Sequence, residues 1–248
     1  MSTTRTTTGP GVALVVGAGD ATGSAIARRF AREGYVACLA RRSADKLQPV
    51  VDEIRAAGGQ AHGFGTDARN EAAVAELVER IESEVGPIEV FAFNIGANVP
   101  SGILEETPRK FFKVWEMACY SAFLTGQAVA RRMVARQRGT MVFTGATAST
   151  RGAANFAAFA VAKHGLRALA QSMARELGPR NVHVAHVIVD GAIDTAFIRD
   201  NFPEKYAERA TDGILHPEHI ADAYWYLHRQ ARDAWTFELD LRPWSERW

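Results

Sequence analysis

The segment NFAAFAVAKHG, residues 155–165, contains a lysine, Lys163, that the helical spacing of its apolar neighbours places on a buried face. A lysine at such a position can assist a proton donor. The residues four and seven positions earlier are Phe159 and Phe156, and neither has a proton to give. We treat Lys163 as a candidate catalytic residue. Because a buried ammonium group without partners is destabilising, we also treat it as a candidate ligand of a bound molecule. A surface lysine at the rim of a helix is the alternative.

A glycine-rich turn follows the first apolar run of the chain. The run VALVVG ends at Gly17. Two more glycines, Gly19 and Gly23, follow it, and a helical pattern of apolar residues begins at residue 23. Glycines permit a tight turn and a close approach to phosphate, and the start of a helix offers free N–H groups to an anion. Between a strand and a helix, this spacing predicts a nucleotide-binding loop. A purely structural turn is the alternative.

Two arginines, Arg41 and Arg42, follow the second apolar run in the segment CLARRS. At the end of such a strand an acidic residue would bind a ribose 2′-hydroxyl, whereas an arginine would accommodate a 2′-phosphate. The arginines therefore favour NADP as the cofactor, with NAD as the second choice. Asp20 in the glycine turn would oppose that preference if it lay near the 2′-phosphate. A solvated charge pair at a helix start is the alternative interpretation of the arginines.

Short apolar runs alternate with longer helical patterns along the whole chain. The runs VALVVG, YVACLA, IEVFAFNI and VHVAHVIV are typical of strands that are covered on both faces. Helical patterns separate them, among them a long one around residues 107–136. This alternation predicts an α/β fold with a doubly wound parallel sheet. Ligands of such sheets bind beyond the carboxyl ends of the strands, so we expect the site there.

The composition argues against several classes of protein. A net charge of +1 gives no reason to expect nucleic acid or a membrane surface as a partner. Cys38 and Cys119 are two cysteines in apolar segments, which indicates no disulfide framework and favours a cytoplasmic protein. His183 and His186 alternate with apolar residues and lack other metal ligands, so we expect no metal.

These motifs, in this order, resemble the short-chain dehydrogenase/reductase family over about residues 11–241. In that family a glycine motif, an adenine-contacting aspartate, an asparagine motif and a nicotinamide-contacting motif follow the first, third, fourth and sixth strands. With the arginines at the end of the second strand, the resemblance implies a cofactor-binding set of fifteen residues. They are Gly17, Gly19, Asp20, Thr22, Gly23, Arg41, Arg42, Asp67, Ala68, Asn94, Gly96, Lys163, Gly191, Ile193 and Thr195. The sequence departs from the family motifs at Ala21, Phe93, Ile95 and Asp190.

The resemblance also implies a catalytic set of Asn, Ser, Tyr and Lys, and only its lysine is present. The tyrosine position is Phe159, the serine position is Ala146 and the asparagine position is Ala118. In the enoyl reductase branch the tyrosine stands seven residues before the lysine, where this chain has Phe156. A positioned general acid contributes about 10²- to 10⁴-fold to a rate, so we expect little ordinary alcohol–ketone interconversion.

Other polar groups could replace the missing ones. Asp190 follows the sixth strand, near the expected nicotinamide position, and could act as an acid if burial raised its pKa. A turn aspartate that bonds nearby backbone is the alternative. Thr144, Thr147 and Ser149 flank the serine position, and each has an alternative role as a turn or cap residue.

The sequence thus predicts residues 1–10 as a disordered tail and residues 11–248 as a single dinucleotide-binding domain with strand order resembling 3-2-1-4-5-6-7. The expected function is an NAD(P)(H)-dependent oxidoreductase with a non-standard active site, acting on a small-molecule substrate. The alternatives are a catalytically silent NADP(H)-binding relative and a non-redox lyase or dehydratase. Trp235, Trp244 and Trp248 near the chain end, with the family resemblance, favour a homodimer or homotetramer.

Overall fold

The computed structural model of the chain describes residues 11–247, so the predicted tail at residues 1–10 and also Trp248 lie outside the described residues. Within residues 11–247, seven strands form one parallel sheet in the order β3-β2-β1-β4-β5-β6-β7. The strands are β1 (Val12–Val16), β2 (Val36–Arg41), β3 (Gln60–Gly65), β4 (Ile88–Phe93), β5 (Thr140–Thr144), β6 (His183–Val189) and β7 (Glu238–Leu241). The predicted doubly wound α/β fold and its strand order are confirmed.

Helices connect the strands and cover the sheet. They are α1 (Thr22–Arg32), α2 (Gln48–Ala56), α3 (Glu71–Arg80), α4 (Pro108–Trp115), α5 (Ser121–Arg136), α6 (Ala157–Leu177), α7 (Ala196–Asn201), α8 (Pro203–Ala207) and α9 (Pro217–His228). In the described part of the chain, none of the helices combines the length and the apolar character that crossing a membrane requires.

Two hydrophobic cores lie on opposite faces of the sheet. Helices α1, α2 and α9 pack on one face, and α3, α5 and α6 pack on the other. Strand β1 contributes to both cores, since Ala13 and Val15 point to the first and Leu14 and Val16 to the second. This two-sided burial explains why the strand is apolar at every position rather than at alternate ones.

The long helix predicted around residues 107–136 is interrupted in the structure. Thr107 caps the start of α4 by accepting a hydrogen bond from the Lys110 N–H at 3.2 Å. A π-helical turn, Glu116–Tyr120, then separates α4 from α5. The Ser121 hydroxyl donates to the Met117 carbonyl at 2.5 Å and so satisfies a backbone group of the widened turn.

The two described tryptophans near the chain end differ in their surroundings. The Trp235 ring stacks on the His183 imidazole, with 4.9 Å between the ring centroids. Trp244 is 78% exposed, and its Nε1–H donates to the Thr211 carbonyl. Trp235 therefore folds back on its own subunit, and the homodimer or homotetramer stays a prediction.

Candidate functional site

A cleft of about 790 Å³ lies at the carboxyl edge of the sheet. Because the strands are parallel, their carboxyl ends meet there and bring distant motifs together. The predicted cofactor-binding residues that line the cleft are Gly17, Gly19, Asp20, Thr22, Gly23, Arg41, Arg42, Asp67, Ala68, Asn94, Gly96, Lys163, Gly191 and Ile193. Asp190 and Thr195 are not among the lining residues.

The glycines of the turn after β1 have two different roles. Gly17 has a φ of +88°, and a Cβ there would lie 2.7 Å from the Asn94 carbonyl carbon. A Cβ on Gly23 would lie 2.6 Å from the Gly17 carbonyl oxygen. A Cβ on Gly19, by contrast, would meet no atom of the described chain within 4 Å. Gly17 and Gly23 therefore allow the backbone to pack, and Gly19 keeps the cleft open.

Substitutions at Gly23 and Gly19 should separate these two roles. Gly23→Ala is expected to lower the free energy of unfolding by about 2 kcal/mol or more, because the new methyl group collides with backbone. Gly19→Ala should leave that free energy within about 0.5 kcal/mol of wild type. Urea denaturation of the three proteins provides the test. Equal destabilisation by both substitutions would contradict this division of roles.

The start of α1 faces the same turn. Ala21 caps the helix without a side-chain hydrogen bond, and the first turn contains no acidic residue. The Ser24 hydroxyl donates to the Gly19 carbonyl at 2.6 Å, and the Asn94 side-chain amide donates to the Gly17 carbonyl at 3.2 Å. These bonds fix the turn in front of the positive end of the helix dipole, an arrangement that suits phosphate.

Charged side chains gather where β2 and β3 end. Arg41 Nη1 lies 3.0 Å from Asp20 Oδ1. Asp67 accepts two side-chain hydrogen bonds from Arg69, at 2.6 and 2.9 Å, and these lower the pKa of Asp67 to about 2. The carboxylate of Asp67 is therefore ionised and already engaged. This end of the cleft offers both anionic and cationic groups to a ligand.

Lys163 lies on α6 at the floor of the cleft and is 3% exposed. Its Nζ donates to the Thr144 carbonyl at 2.8 Å and to the Ile95 carbonyl at 3.1 Å. Burial lowers the pKa of Lys163 from 10.5 to about 8. The amine therefore changes its protonation close to neutral pH, and two backbone oxygens fix its orientation.

The surroundings of Lys163 are apolar. The centroid of the Phe159 ring lies 6.0 Å from Lys163 Nζ, and Phe159 is buried. Phe156 and Ala146 also line the cleft. Ala118, the residue at the expected asparagine position, is buried in the π-helical turn, and its neighbour Met117 lines the cleft instead.

The hydroxyl groups near Ala146 are engaged in other contacts. Thr144 Oγ1 lies 2.6 Å from the Tyr224 hydroxyl in the core. Ser149 is buried and accepts the Ala146 N–H at 3.1 Å. Thr147 lines the cleft and donates its hydroxyl hydrogen to Asp190. Of these three hydroxyls, Thr147 has the position from which a ligand in the cleft can be reached.

Asp190 and Thr195 occupy structural positions next to the cleft. Asp190 is 1% exposed and accepts the Thr147 hydroxyl. Arg151 and Arg242 each place a guanidinium nitrogen 3.7 Å from its carboxylate. Thr195 caps α7 by accepting the Ile198 N–H at 3.2 Å. Asp190 thus reaches the cleft through Thr147 rather than directly.

Several lining residues were missed by the sequence analysis. They are Arg69, Asn98, Met117 and Arg151. Arg69 stands two positions after Asp67, so an arginine close to an expected adenine ligand was an available signal. The positions of Asn98, Met117 and Arg151 depend on how loops and the π-helical turn fold, which no local pattern reports.

The two histidines of β6 have separate polar partners. His186 Nδ1 lies 3.0 Å from Glu238 Oε2, and Glu238 also accepts two hydrogen bonds from Arg167, at 2.5 and 2.7 Å. His183 Nε2 lies 2.8 Å from the Thr236 carbonyl oxygen. Over residues 11–247 no three His, Cys, Asp or Glu side chains are grouped as a metal site requires.

The chain is similar in sequence to known dehydrogenases and reductases. The profile of the family described as short chain dehydrogenase matches residues 11–205. The chain is 31% identical, over 186 residues, to the 3-oxoacyl-acyl-carrier-protein reductase MabA of Mycobacterium tuberculosis, covering 75% of this chain and 70% of that one. It is 27% identical, over 184 residues, to 2,3-dihydro-2,3-dihydroxybenzoate dehydrogenase of Bacillus subtilis, covering 74% and 70%.

Solved structures show the same relationship. A short-chain dehydrogenase from Rhodopseudomonas palustris is 47% identical, with a TM-score of 0.81 and coverage of 94% of this chain and 99% of that one. A metagenomic short-chain oxidoreductase, solved in complex with NADP, is 28% identical, with a TM-score of 0.81 and coverage of 94% and 96%. The family uses NAD or NADP. With its fold, its cleft and these relatives, the chain belongs to the short-chain dehydrogenase family.

Proposed function

We propose that the protein binds NADP(H) in the cleft and works as an oxidoreductase whose acid–base groups differ from the usual set of its family. The observation that carries the proposal is the position of Lys163. Its buried amine lies on the floor of the cleft, and the glycine turn and the adjacent residues Arg41 and Arg42 line the same cleft. Ribose hydroxyls are suitable partners for such an amine.

The residues present fit a dinucleotide. Side chains at Gly19 and Gly96 would project into open space, so both glycines leave room for a ligand close to the backbone. We assign the pyrophosphate to the turn and the start of α1, and the 2′-phosphate to Arg41 and Arg42. The remaining assignments follow the family: adenine at Asp67 and Ala68, the nicotinamide ribose at Asn94, Gly96 and Lys163, and the nicotinamide at Gly191 and Ile193, with Thr195 beside the cleft as the cap of α7.

The cofactor, when bound, supplies or accepts hydride, and the protein has to manage the proton. Phe159 has no acidic hydrogen, so it contributes an apolar wall. Lys163, with its pKa lowered to about 8 by burial, holds an exchangeable proton at Nζ. The Thr147 hydroxyl, which donates to Asp190, is the second polar group that a substrate in the cleft can reach. Neither group equals a tyrosine placed directly beside the substrate oxygen.

The substrate should therefore need little acid assistance. A polarised alkene or a quinone meets this requirement, because hydride addition leaves an enolate or a hydroquinone anion, whose charge is delocalised by conjugation and can be protonated by water. The wall formed by Phe156, Phe159 and Ala146 suits the apolar body of such a molecule. The names of the relatives include reductases and dehydrogenases of several substrates, so they support the reaction class and not one compound.

Cofactor binding is tested by titration with NADPH and NADH, followed through nicotinamide fluorescence. Lys163→Ala is expected to weaken NADPH binding about 10- to 100-fold, the usual effect of losing hydrogen bonds from a charged donor. Lys205→Ala, on the exposed helix α8, should bind as wild type does. Failure of the wild-type protein to bind either nucleotide would overturn the proposal.

Turnover separates the alternatives once binding is established. NADPH oxidation with a quinone supports the oxidoreductase. NADPH binding without oxidation of NADPH by any quinone or enone in a panel supports the catalytically silent relative. The observation in favour of this alternative is Phe159, which lies next to Lys163 and has no proton to give. Activity without a change in nicotinamide absorbance would indicate a lyase or dehydratase.

A further inference from the structure

An ion pair joins the glycine turn to the end of β2 at the cofactor cleft. Asp20 Oδ1 and Arg41 Nη1 are 3.0 Å apart, and both residues line the cleft. The Asp20 side chain is 87% exposed, whereas that of Arg41 is 24% exposed. The carboxylate can therefore turn toward a ligand with little resistance, and the guanidinium group is held in place.

The neighbouring charges are arranged differently. Arg42 lines the same cleft, and no carboxylate among residues 11–247 lies within ion-pair distance of it. Asp67 is held by Arg69. Asp20 is thus the cleft carboxylate that is both exposed and in contact with an arginine expected to meet the 2′ position of the cofactor.

The two members of the pair suit different cofactors. A carboxylate accepts a hydrogen bond from a 2′-hydroxyl, as in NAD(H), but repels a 2′-phosphate. A guanidinium group binds a 2′-phosphate, as in NADP(H), but Arg41 is already partly neutralised by Asp20. The pair therefore presents a suitable group for either nucleotide. Asp20 weakens the binding of the 2′-phosphate by Arg41, and Arg41 competes with the 2′-hydroxyl for Asp20.

We propose that the Asp20–Arg41 pair sets the ratio of NADP(H) to NAD(H) affinity. Asp20 lowers the NADP(H) affinity by competing for Arg41, and it supports NAD(H) by accepting the 2′-hydroxyl. This inference rests on the proposed cofactor site and adds a determinant of its selectivity. It makes the chain a protein that accepts both nucleotides, with Asp20 as the residue that prevents a strict NADP preference.

The test uses Asp20→Asn, which keeps the size of the side chain and removes its charge. The dissociation constants of NADPH and NADH are measured by fluorescence titration at low salt. The ratio of NADPH to NADH affinity is expected to rise about tenfold in Asp20→Asn, through tighter NADPH binding and weaker NADH binding. Raising the salt concentration from about 0.05 M to about 0.5 M should reduce this difference.

Double substitutions show whether Asp20 acts through Arg41. The effect of Asp20→Asn on NADPH binding should be mostly lost in an Arg41→Gln background and retained in an Arg42→Gln background. Equal effects in both backgrounds would overturn the role of the pair, and so would a ratio in Asp20→Asn within about twofold of wild type. Either result would leave the cofactor site itself intact. Absence of binding to wild type would instead overturn the proposed function.

Discussion

Phe159→Tyr combined with Ala146→Ser is expected to raise the rate of NADPH-dependent reduction of a simple aryl ketone about 10²- to 10⁴-fold. The tyrosine would place a phenol next to Lys163, whose ammonium form lowers the pKa of a nearby hydroxyl group. The serine would add a donor for the ketone oxygen at the end of β5. Steady-state kinetics with acetophenone, compared with wild type, would show the gain.

The matched control is Phe156→Tyr combined with Ala146→Ser. Phe156 also lines the cleft, but it precedes α6, so a hydroxyl there should not restore ketone reduction. A double variant at positions 159 and 146 that binds NADPH and still leaves acetophenone unreduced would show that these two residues do not limit ketone reduction. Equal gains in both double variants would show that position 159 has no special role.

Lys163→Met is expected to change how the stability of the protein depends on pH. Burial lowers the pKa of Lys163 from 10.5 to about 8 in the folded state, so the unfolded chain binds the proton more tightly. Below about pH 8 both states carry the charge, and the folded state bears the full desolvation penalty. Between about pH 8 and about pH 10.5 the folded state loses the proton first, so wild-type stability should rise relative to Lys163→Met, by about 3 kcal/mol in total.

Urea denaturation of both proteins across this pH range provides the measurement. Other buried groups act in the opposite direction: burial raises the pKa of Cys38 to about 12 and raises that of Tyr224 as well. Both proteins contain these groups, so their contribution cancels in the difference. Loss of the bonds to the Thr144 and Ile95 carbonyls adds a constant that does not depend on pH. A flat difference curve would mean that the pKa of Lys163 is the same in the folded and unfolded states.

The parts of the site that local chemistry dictates were predictable from the sequence. Gly17 and Gly23 permit close backbone contacts that a larger residue would block, so their spacing marked the turn. The parallel sheet then placed Arg41, Asn94 and Lys163 at one edge, because strand ends of such a sheet meet. Fold and site position followed from patterns only a few residues long.

Other features depend on which way a side chain points and could not be predicted. Asp190 stands in the right segment, but its carboxylate is buried and contacts Thr147, Arg151 and Arg242 instead of lining the cleft itself. The interruption between α4 and α5 adds a widened turn that apolar spacing alone does not reveal. Both outcomes are decided by partners far away in sequence.

The contact between Arg167 and Glu238 ties the helix that carries Lys163 to β7, the final strand within residues 11–247. Arg167 stands one helical turn after Lys163, on the same side of α6. During synthesis on a ribosome, Glu238 emerges after every other segment that builds the cleft. The lysine-bearing helix therefore receives this anchor only after β7 has been made, and a nascent chain lacks a finished cofactor site until that point.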